Sequence, residues 1–361
     1  MVKRYLGWLT TGVMLLGGAG SACTLASKGV AEPAGKGGGA SSADAGSTGD
    51  TGSSGGGTTA AATSGAGGGT TAGGGCTGGG APVSTTRVVA YLPNYSGSFG
   101  GWAKKIDFKK MTHLNLAFAT ATGSNDWDLG ADDQDVKALV DAAHAAGTKV
   151  LASLGGGGGD QTVIARYKDA GNIDELVDKL DTFVTAHNLD GADIDIEDPN
   201  NLGDHYSTFV SKTVARLRPE GKLVTAAVAQ YLQDSMSDDT LHSFDFVNVM
   251  VYTNYDDSVS ALDYYSQNKG VPKDKLTLGA GFFGQDSNYN EYAYKDILAA
   301  DGNAWSYDQT TVNGTKINYT GMASMKKIAE YSRGFGGIMF WELSQDVTDE
   351  HSLYKVIQGA L

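Results

Sequence analysis

The residues best suited to chemistry lie in the segment Leu189–Pro199, which reads LDGADIDIEDP. Asp190 is followed by three carboxylates at alternating positions, Asp193, Asp195 and Glu197. Strict alternation is the period of a β-strand, so the pattern predicts three carboxylates on one face, roughly 6.6 Å apart. Carboxylates stacked this closely cannot all ionise cheaply. At least one is expected to hold a proton near neutral pH, which is what a general acid needs.

The residues between the carboxylates indicate where this strand lies. Helical patterns precede and follow it, so it is expected to be central and covered by helices, with Ile194 and Ile196 facing them. The carboxylates would then face an interior. A metal site and a solvated edge strand are the alternatives. Counted from Asp193, the calcium-loop pattern lacks its Gly at position six and its Glu at position twelve.

The first 22 residues are typical of an export signal. Two basic residues precede an apolar run from Tyr5 to Leu16, and small residues then continue to Cys23. The sequence before Cys23 resembles a bacterial lipoprotein box, which predicts lipidation of this cysteine and attachment to a membrane. Gly20 stands where such boxes usually have Leu, so plain cleavage after Ala22 is the alternative. The protein is expected to be a cell-surface lipoprotein or secreted.

Residues 23–84 are predicted to be a disordered, flexible tether. Of the chain's 52 glycines, 26 lie in the first 80 residues, and positions 24–80 contain no aromatic residue. Such a composition cannot bury enough surface to offset chain entropy. With two cysteines, no disulfide framework is implied; a Cys23–Cys76 bridge would require an unlipidated Cys23.

The net charge of the folded part indicates which classes of molecule it can bind. Residues 81–361 carry 23 basic and 38 acidic groups, a net charge of −15. An acidic domain argues against nucleic acid as a partner and suits a neutral ligand. The six histidines show no metal-binding spacing, so no metal and no cofactor are expected. A monomer is expected.

Residues 85–361 form the predicted folded domain. Eight β-rich runs alternate with helical patterns, which predicts an α/β fold, a (β/α)8 TIM barrel. A doubly wound open sheet is the alternative, but no phosphate-binding fingerprint follows the first strand. The predicted strands are Val88–Leu92, His113–Phe118, Lys149–Leu154, Gly191–Glu197, Leu223–Val228, Phe246–Tyr252, Leu276–Phe283 and Gly337–Trp341.

In such a barrel the functional residues lie at the carboxyl-terminal ends of the strands. Besides the carboxylates of the fourth strand, Tyr91 and Phe118 end the first two strands. Ser153–Gly156 ends the third, Met250–Tyr252 the sixth and Trp341 the eighth. Flat aromatic rings stack on sugars and carboxylates act on glycosidic bonds, so this mouth favours a carbohydrate site.

These motifs resemble family 18 of the glycoside hydrolases, the chitinase family. Its D-G-x-D-x-D-x-E motif is matched at every fixed position by Asp190–Glu197, its S-x-G-G by Ser153–Gly156 and its M-x-Y by Met250–Tyr252. The segment Gly336–Asp346, GGIMFWELSQD, resembles its closing strand. The landmarks follow the family's order over residues 87–361.

The resemblance implies a role for each catalytic residue. Glu197 would protonate the leaving oxygen, and the nucleophile would be the substrate's own N-acetyl oxygen. Asp195 would bind the acetamido N–H and stabilise the oxazolinium intermediate, while Asp193 would share a proton with it. Tyr252 would hold the acetamido oxygen, and Trp341 would lie under the reacting sugar. Other residues are assigned to substrate binding: Tyr91, Phe118, Ser153, Gly155, Gly156, Met250 and Asn254.

Departures from the family pattern affect the surroundings of the site. Thr253 stands where the family often has Asp, and Phe283 stands where it usually has Tyr. The segment after the seventh strand is about 35 residues long, too short for a large α+β insertion domain. A shallow, open cleft suited to internal cleavage is therefore expected. An endo-acting chitinase is the leading hypothesis; an endo-β-N-acetylglucosaminidase acting on N-linked glycans and an inactive chitin- or glycan-binding lectin are the alternatives.

Overall fold

The computed structural model describes residues 86–361. The predicted signal segment 1–22, the tether 23–84 and the lipidation site Cys23 lie outside these residues. Within the described part of the chain, no helix combines the length and apolar character needed to cross a membrane.

Eight parallel strands close into a barrel, as predicted. In sheet order β1 is followed by β13, β8, β7, β6, β5, β4 and β2, and β2 pairs with β1 to close the ring. A short strand, β3, pairs antiparallel with the end of β2. The strands are β1 Arg87–Pro93, β2 His113–Ala121, β3 Trp127–Asp128, β4 Lys149–Gly155, β5 Gly191–Asp195, β6 Leu223–Ala229, β7 Val247–Met250, β8 Leu276–Gly281 and β13 Gly337–Trp341.

Amphipathic helices cover the outside of the barrel. In α4 the apolar residues recur at helical spacing, and Ile173, Leu176, Leu180 and Val184 are all buried. Ser352 caps the last helix, as predicted, because its side chain accepts the backbone N–H of Lys355. The helices are α1 Phe99–Trp102, α2 Asp133–Ala145, α3 Asp160–Tyr167, α4 Ile173–Ala186, α5 Asp204–Leu217, α6 Asp238–Ser243, α7 Tyr255–Asp263, α8 Tyr294–Ala300, α9 Met322–Ser332 and α10 Leu353–Ala360.

The insertion between β8 and α9 is short, as predicted, and it has a sheet of its own. Four antiparallel strands are ordered β10, β9, β12, β11 across this sheet. Along the chain, α8 lies between β10 and β11. The strands are β9 Phe283–Gln285, β10 Glu291–Ala293, β11 Gln309–Val312 and β12 Thr315–Tyr319. This small subdomain stands beside one side of the barrel mouth, because β9 follows directly on the end of β8.

Candidate active site

Strand β5 places the acidic motif at the centre of the barrel. Ile194 and Ile196 are buried in the apolar core that the strands share with the surrounding helices, as the alternation predicts. In the parallel register Asp193 lies beside Ser153 of β4, and Asp195 beside Gly155. The strand ends at Asp195, so Glu197 extends beyond it at the carboxyl-terminal mouth.

Asp193 is the deepest of the three carboxylates, and four donors surround it. Tyr91 and Ser153 donate hydroxyl hydrogen bonds to its Oδ2, at 2.7 and 2.9 Å. Thr225 donates to Oδ1 at 2.6 Å, and the amide of Asn248 donates to the same atom at 3.1 Å. Burial raises the pKa of Asp193, and these four hydrogen bonds oppose the rise by stabilising the carboxylate.

The proton expected to be shared between Asp193 and Asp195 stays a prediction. Both oxygens of Asp193 are occupied by the donors just described. Asp195 is only 3% exposed, and its Oδ1 has no hydrogen-bond partner among residues 86–361. Burial, followed by the charges of Glu197, Asp193 and Asp160, raises the pKa of Asp195 well above its ordinary value. Asp195 therefore presents a free acceptor that a substrate N–H could satisfy.

Glu197 is half-buried and faces the mouth of the barrel. The Tyr231 hydroxyl donates to its Oε2 at 3.1 Å and to its backbone oxygen at 3.2 Å. Burial raises the pKa of Glu197 and the charge of Asp160 adds to the rise, whereas hydrogen bonds from Tyr231 and the Gly157 backbone lower it. A carboxyl group with a raised pKa at an accessible position is suited to general acid catalysis.

The glycines after β4 allow the next loop to pack against the motif. A Cβ on Gly155 would lie 2.5 Å from the backbone oxygen of Asp195, and one on Gly156 would lie 2.2 Å from the Phe118 ring. Both glycines have positive φ angles, 99° and 71°. The Gly156 N–H also donates to the Asp195 backbone oxygen at 2.8 Å.

The substrate-binding roles given to Ser153, Gly155 and Gly156 stay predictions. All three residues are buried. The Ser153 hydroxyl donates to Asp193, and the glycines leave no room for a Cβ, so this turn packs closely against the carboxylate strand.

An aromatic floor lies across the mouth. The ring of Trp341 stacks on Phe118 with centroids 5.4 Å apart and an angle of 17° between planes, and it also contacts Tyr91 at 5.7 Å. Trp341 and Phe118 are partly exposed. Tyr91 is 1% exposed and donates to Asp193. Its predicted role in substrate binding stays a prediction, and in this structure Tyr91 supports Trp341 and Asp193.

Tyr252 and Met250 complete the mouth on the side of β7. Both are partly exposed and pack on the cluster of apolar residues inside the barrel. The Tyr252 ring meets Phe283 of the insertion edge-on, with centroids 5.4 Å apart. Its hydroxyl contacts the Met339 sulfur at 3.9 Å, a weak interaction that leaves it available to a ligand.

Asn254 has a structural function that the sequence did not reveal. Its Oδ1 accepts the backbone N–H of Asp257 at 3.0 Å, which caps α7. Its amide and the Thr253 hydroxyl both donate to the Asp257 carboxylate, at 2.7 and 2.6 Å. Contact between Asn254 and substrate stays a prediction. Asp257 supplies a carboxylate near the place where the family often has one at position 253.

Several residues around the site were missed by the sequence-based prediction. Tyr231 lies in a single helical turn after β6, Asp160 is the first residue of α3, and Asn248 and Thr225 lie on strands as isolated polar residues. Inward-facing polar residues at alternate strand positions were the signal available for the last two. Three further tryptophans differ in their environment. Trp127 is a core residue that donates to the Leu176 carbonyl, Trp102 is partly buried, and Trp305 stacks on His351.

Comparison with known proteins identifies the family. The family described as Glycosyl hydrolases family 18 matches residues 87–346. The chain belongs to glycoside hydrolase family 18. The matched span contains every strand of the barrel and the four motifs on which the resemblance rests.

Solved structures agree with this assignment. The GH18 chitinase ChiB from the chitin utilization locus of Flavobacterium johnsoniae is similar with a TM-score of 0.68 and 28% identity, covering 76% of this chain and 93% of that one. A chitinase from Bacteroides thetaiotaomicron shares the fold with a TM-score of 0.66 and 22% identity, over 75% and 95% of the two chains.

A curated relative matches over a shorter stretch. A chitinase-like effector from Moniliophthora perniciosa is 33% identical over 129 residues, which is 33% of this chain and 28% of that protein. This match spans less than a third of the relative's length.

Proposed function

We propose that this protein hydrolyses β-1,4-linked N-acetylglucosamine polymers, as a chitinase. The observation that carries the proposal is the depth-ordered stack of Asp193, Asp195 and Glu197. Four donors hold the deepest carboxylate, and one oxygen of the middle carboxylate has no hydrogen-bond partner within residues 86–361. The outermost carboxyl group lies at the mouth and has a raised pKa. An aromatic floor of Trp341 and Phe118 lies at the same mouth.

The proposed reaction proceeds in two steps. In the first, the acetamido oxygen of the reacting sugar attacks C1, the bond from C1 to the glycosidic oxygen breaks, and that oxygen takes the proton of Glu197. In the second, water adds to C1, the oxazolinium ring reopens, and the water's proton passes to Glu197. Atoms and charge balance, and no second carboxylate nucleophile is required.

The neighbouring residues would serve this chemistry. The Asp195 carboxylate accepts the acetamido N–H and opposes the positive charge of the oxazolinium. Asp193 would lie beneath Asp195, and Tyr252 would direct its hydroxyl to the acetamido oxygen. Trp341 supports the sugar face. The short insertion suits an open cleft and cleavage within a polymer, which is the endo mode we propose.

The products formed from two substrates distinguish a chitinase from the two alternatives. Purified protein is incubated with chitin oligosaccharides of defined length and, in parallel, with a high-mannose glycoprotein, and products are separated by mass. Shortened oligosaccharides support the proposal. Release of the glycan from the glycoprotein alone would indicate an endo-β-N-acetylglucosaminidase, and binding without cleavage of either would indicate a lectin.

We also propose that the protein is exported, and that it works as a monomer at the cell surface or outside the cell. The support is the export-signal pattern of residues 1–22, the Cys23 box and the acidic catalytic domain. Lipidation of Cys23 would attach the chain to a membrane through residues 23–84.

A further inference from the structure

The two ends of the barrel carry opposite charge. At the amino-terminal end, the first residue of each barrel strand and the five residues before it include nine Lys or Arg and four Asp or Glu, a net charge of +5. At the mouth, the last residue of each strand and the five residues after it include nine Asp or Glu and no Lys or Arg, a net charge of −9. The amino-terminal end, called the basic face below, consists of residues 86–87, 108–113, 144–149, 186–191, 218–223, 242–247, 271–276 and 332–337.

Hydrogen bonds join the segments of the basic face side by side. The backbone N–H of Lys149, where β4 begins, donates to the Thr112 carbonyl in front of β2 at 3.0 Å. The Arg87 guanidinium, where β1 begins, donates to the Asp274 carbonyl in front of β8 at 2.6 Å. Charges that are far apart in the sequence therefore lie on one surface.

The positive charges of this face are the accessible ones. Lys109, Lys149 and Lys273 are exposed, and none of the three forms an ion pair with another residue of the described range 86–361. Two of the four acids are tied to the main chain instead. Asp190 accepts the Val150 N–H at 2.7 Å, and Asp245 accepts the Val224 N–H at 2.8 Å.

The distance between the two ends decides which charge a large anionic surface would meet. Strand β1 has seven residues. At about 3.3 Å per residue and a tilt of about 36°, it spans about 19 Å along the barrel axis. Charges in water are screened over about 8 Å at physiological ionic strength. A surface in contact with the basic face is therefore about two screening lengths from the acidic mouth, and attraction to the near charges outweighs repulsion from the far ones.

We infer that the basic face docks on an anionic phospholipid surface, with the mouth directed away from it. Strand β1 begins at Arg87, so the chain that leads from the proposed anchor at Cys23 joins the barrel at this same face. The export-signal pattern and the net charge of −15 favour a membrane over nucleic acid as the polyanion. This inference goes beyond the proposed hydrolysis and does not require a lipid on Cys23.

The test is cosedimentation of the full chain with vesicles of phosphatidylglycerol and, separately, of phosphatidylcholine. Every chain carries Cys23→Ser, so that no attached lipid contributes. A basic residue near an anionic surface contributes about fivefold in affinity. Affinity for the phosphatidylglycerol vesicles should therefore be at least about tenfold higher at low salt, and added salt should reduce it. Equal affinity for the two vesicles, or a preference for a DNA duplex over both, would overturn the inference.

Three substitutions on the basic face identify the surface that binds. The combined variant Lys109→Gln, Lys149→Gln and Lys273→Gln should lose at least about tenfold in affinity for the phosphatidylglycerol vesicles. Because all three side chains are exposed, its thermal unfolding followed by circular dichroism should match that of the parent chain. Unchanged affinity of this variant would overturn the inference.

The matched control removes three exposed lysines elsewhere. Lys137 and Lys326 lie on the outer helices α2 and α9, and Lys316 lies on β12 of the insertion beside the mouth. The combined variant Lys137→Gln, Lys316→Gln and Lys326→Gln changes the net charge by the same amount but should bind the vesicles like the parent chain. Equal losses in the two triple variants would show an effect of overall charge and would overturn the assignment to the basic face.

Amide hydrogen exchange on the vesicles gives the orientation without any substitution in the barrel. Exchange in residues 108–113 and 144–149 should slow when phosphatidylglycerol vesicles are added, while residues 156–160 and 286–290 at the mouth should exchange as before. Slower exchange at the mouth instead would overturn the inference. Neither binding nor exchange depends on hydrolysis, so failure of the proposed function would leave both results in place.

Discussion

The Tyr231 hydroxyl lies 3.1 Å from the Glu197 carboxylate, although Tyr231 is 63% exposed and 34 residues further along the chain. The loop after β6 thus reaches over the mouth to the proposed proton donor. This hydrogen bond stabilises the ionised form of Glu197, which is the form that cannot donate a proton. Tyr231 and Asp160 therefore act on the same group in opposite directions.

Tyr231→Phe should move the basic limb of the pH profile to higher pH. Loss of the hydroxyl removes a bond that lowers the Glu197 pKa, so the acid stays protonated further into the alkaline range. The shift should be below about one pH unit, because one hydrogen bond contributes about 1 kcal/mol. Kinetics of kcat/KM from pH 4 to 9 measure it.

Tyr307→Phe is the control for this prediction, since Tyr307 is also an exposed tyrosine, 50% exposed, in the insertion. Its profile should match the wild type. The basic limb of Tyr231→Phe would move to lower pH if the ring matters more than its hydroxyl. In that case the substitution would act by changing the solvation of Glu197.

Glu197→Gln should abolish turnover while sugar binding persists. Removal of the proton donor should lower kcat by at least about 10²-fold, equivalent to about 2.7 kcal/mol of transition-state stabilisation. Calorimetry with a chitin oligosaccharide measures the retained affinity. Near-normal hydrolysis by a folded Glu197→Gln preparation would show that the general acid is another residue.

The sequence predicted the barrel and the orientation of β5 because alternation of apolar and acidic residues leaves one arrangement that buries Ile194 and Ile196. It could not predict that the Tyr231 hydroxyl meets Glu197. Tyr231 lies in a segment without periodicity, and its position depends on the closure of the whole ring. Likewise, the buried environment of Ser153 and Tyr91 follows from tertiary packing, which their motif positions do not show.

The stacked carboxylates Asp193, Asp195 and Glu197 should also lower the free energy of unfolding as the pH rises. The pKa of Asp195 is raised in the folded protein, so its contribution to stability is fully present below the unfolded-state pKa and is lost as the pH rises through the folded-state value. Asp195→Asn removes this titration. Urea unfolding should show the variant gaining stability over the wild type at pH 8, with the difference shrinking toward pH 4.

Asp193→Asn provides the contrast in the same measurement. Two donors bond to each carboxylate oxygen of Asp193, so an amide would place its NH2 group against the two donors on one side. This variant should lose stability at every pH, by about 1–3 kcal/mol. Equal behaviour of the two variants would argue against the distinct roles given to Asp193 and Asp195.

The predicted tether and lipidation site can be tested in cells. A chain beginning at Val83 should fold, stay soluble and retain the activity of the full chain, because the described barrel begins at Arg87. Metabolic labelling with a fatty-acid probe should mark the full-length protein but not Cys23→Ser. Absence of label in the mature full-length protein would indicate plain secretion.

The positions of Asp195 and Glu197 favour substrate-assisted catalysis over a double displacement with a carboxylate nucleophile. Asp195 and Glu197 project from the same end of β5, so they approach the sugar from one side. A carboxylate nucleophile would have to attack from the face opposite the leaving group. The acetamido group can make that attack from within the substrate, with the advantage of an intramolecular reaction.

Three outcomes follow from attack by the acetamido group. Hydrolysis should retain the β-configuration, a substrate lacking the N-acetyl group should be essentially inert, and a thiazoline analogue of the intermediate should inhibit. Asp195→Asn should lower kcat by at least about 10²-fold, because it removes the charge that opposes the oxazolinium. Proton NMR of the first-formed product gives its anomeric configuration. An initial α-anomer would contradict this mechanism and, with it, the role assigned to Asp195.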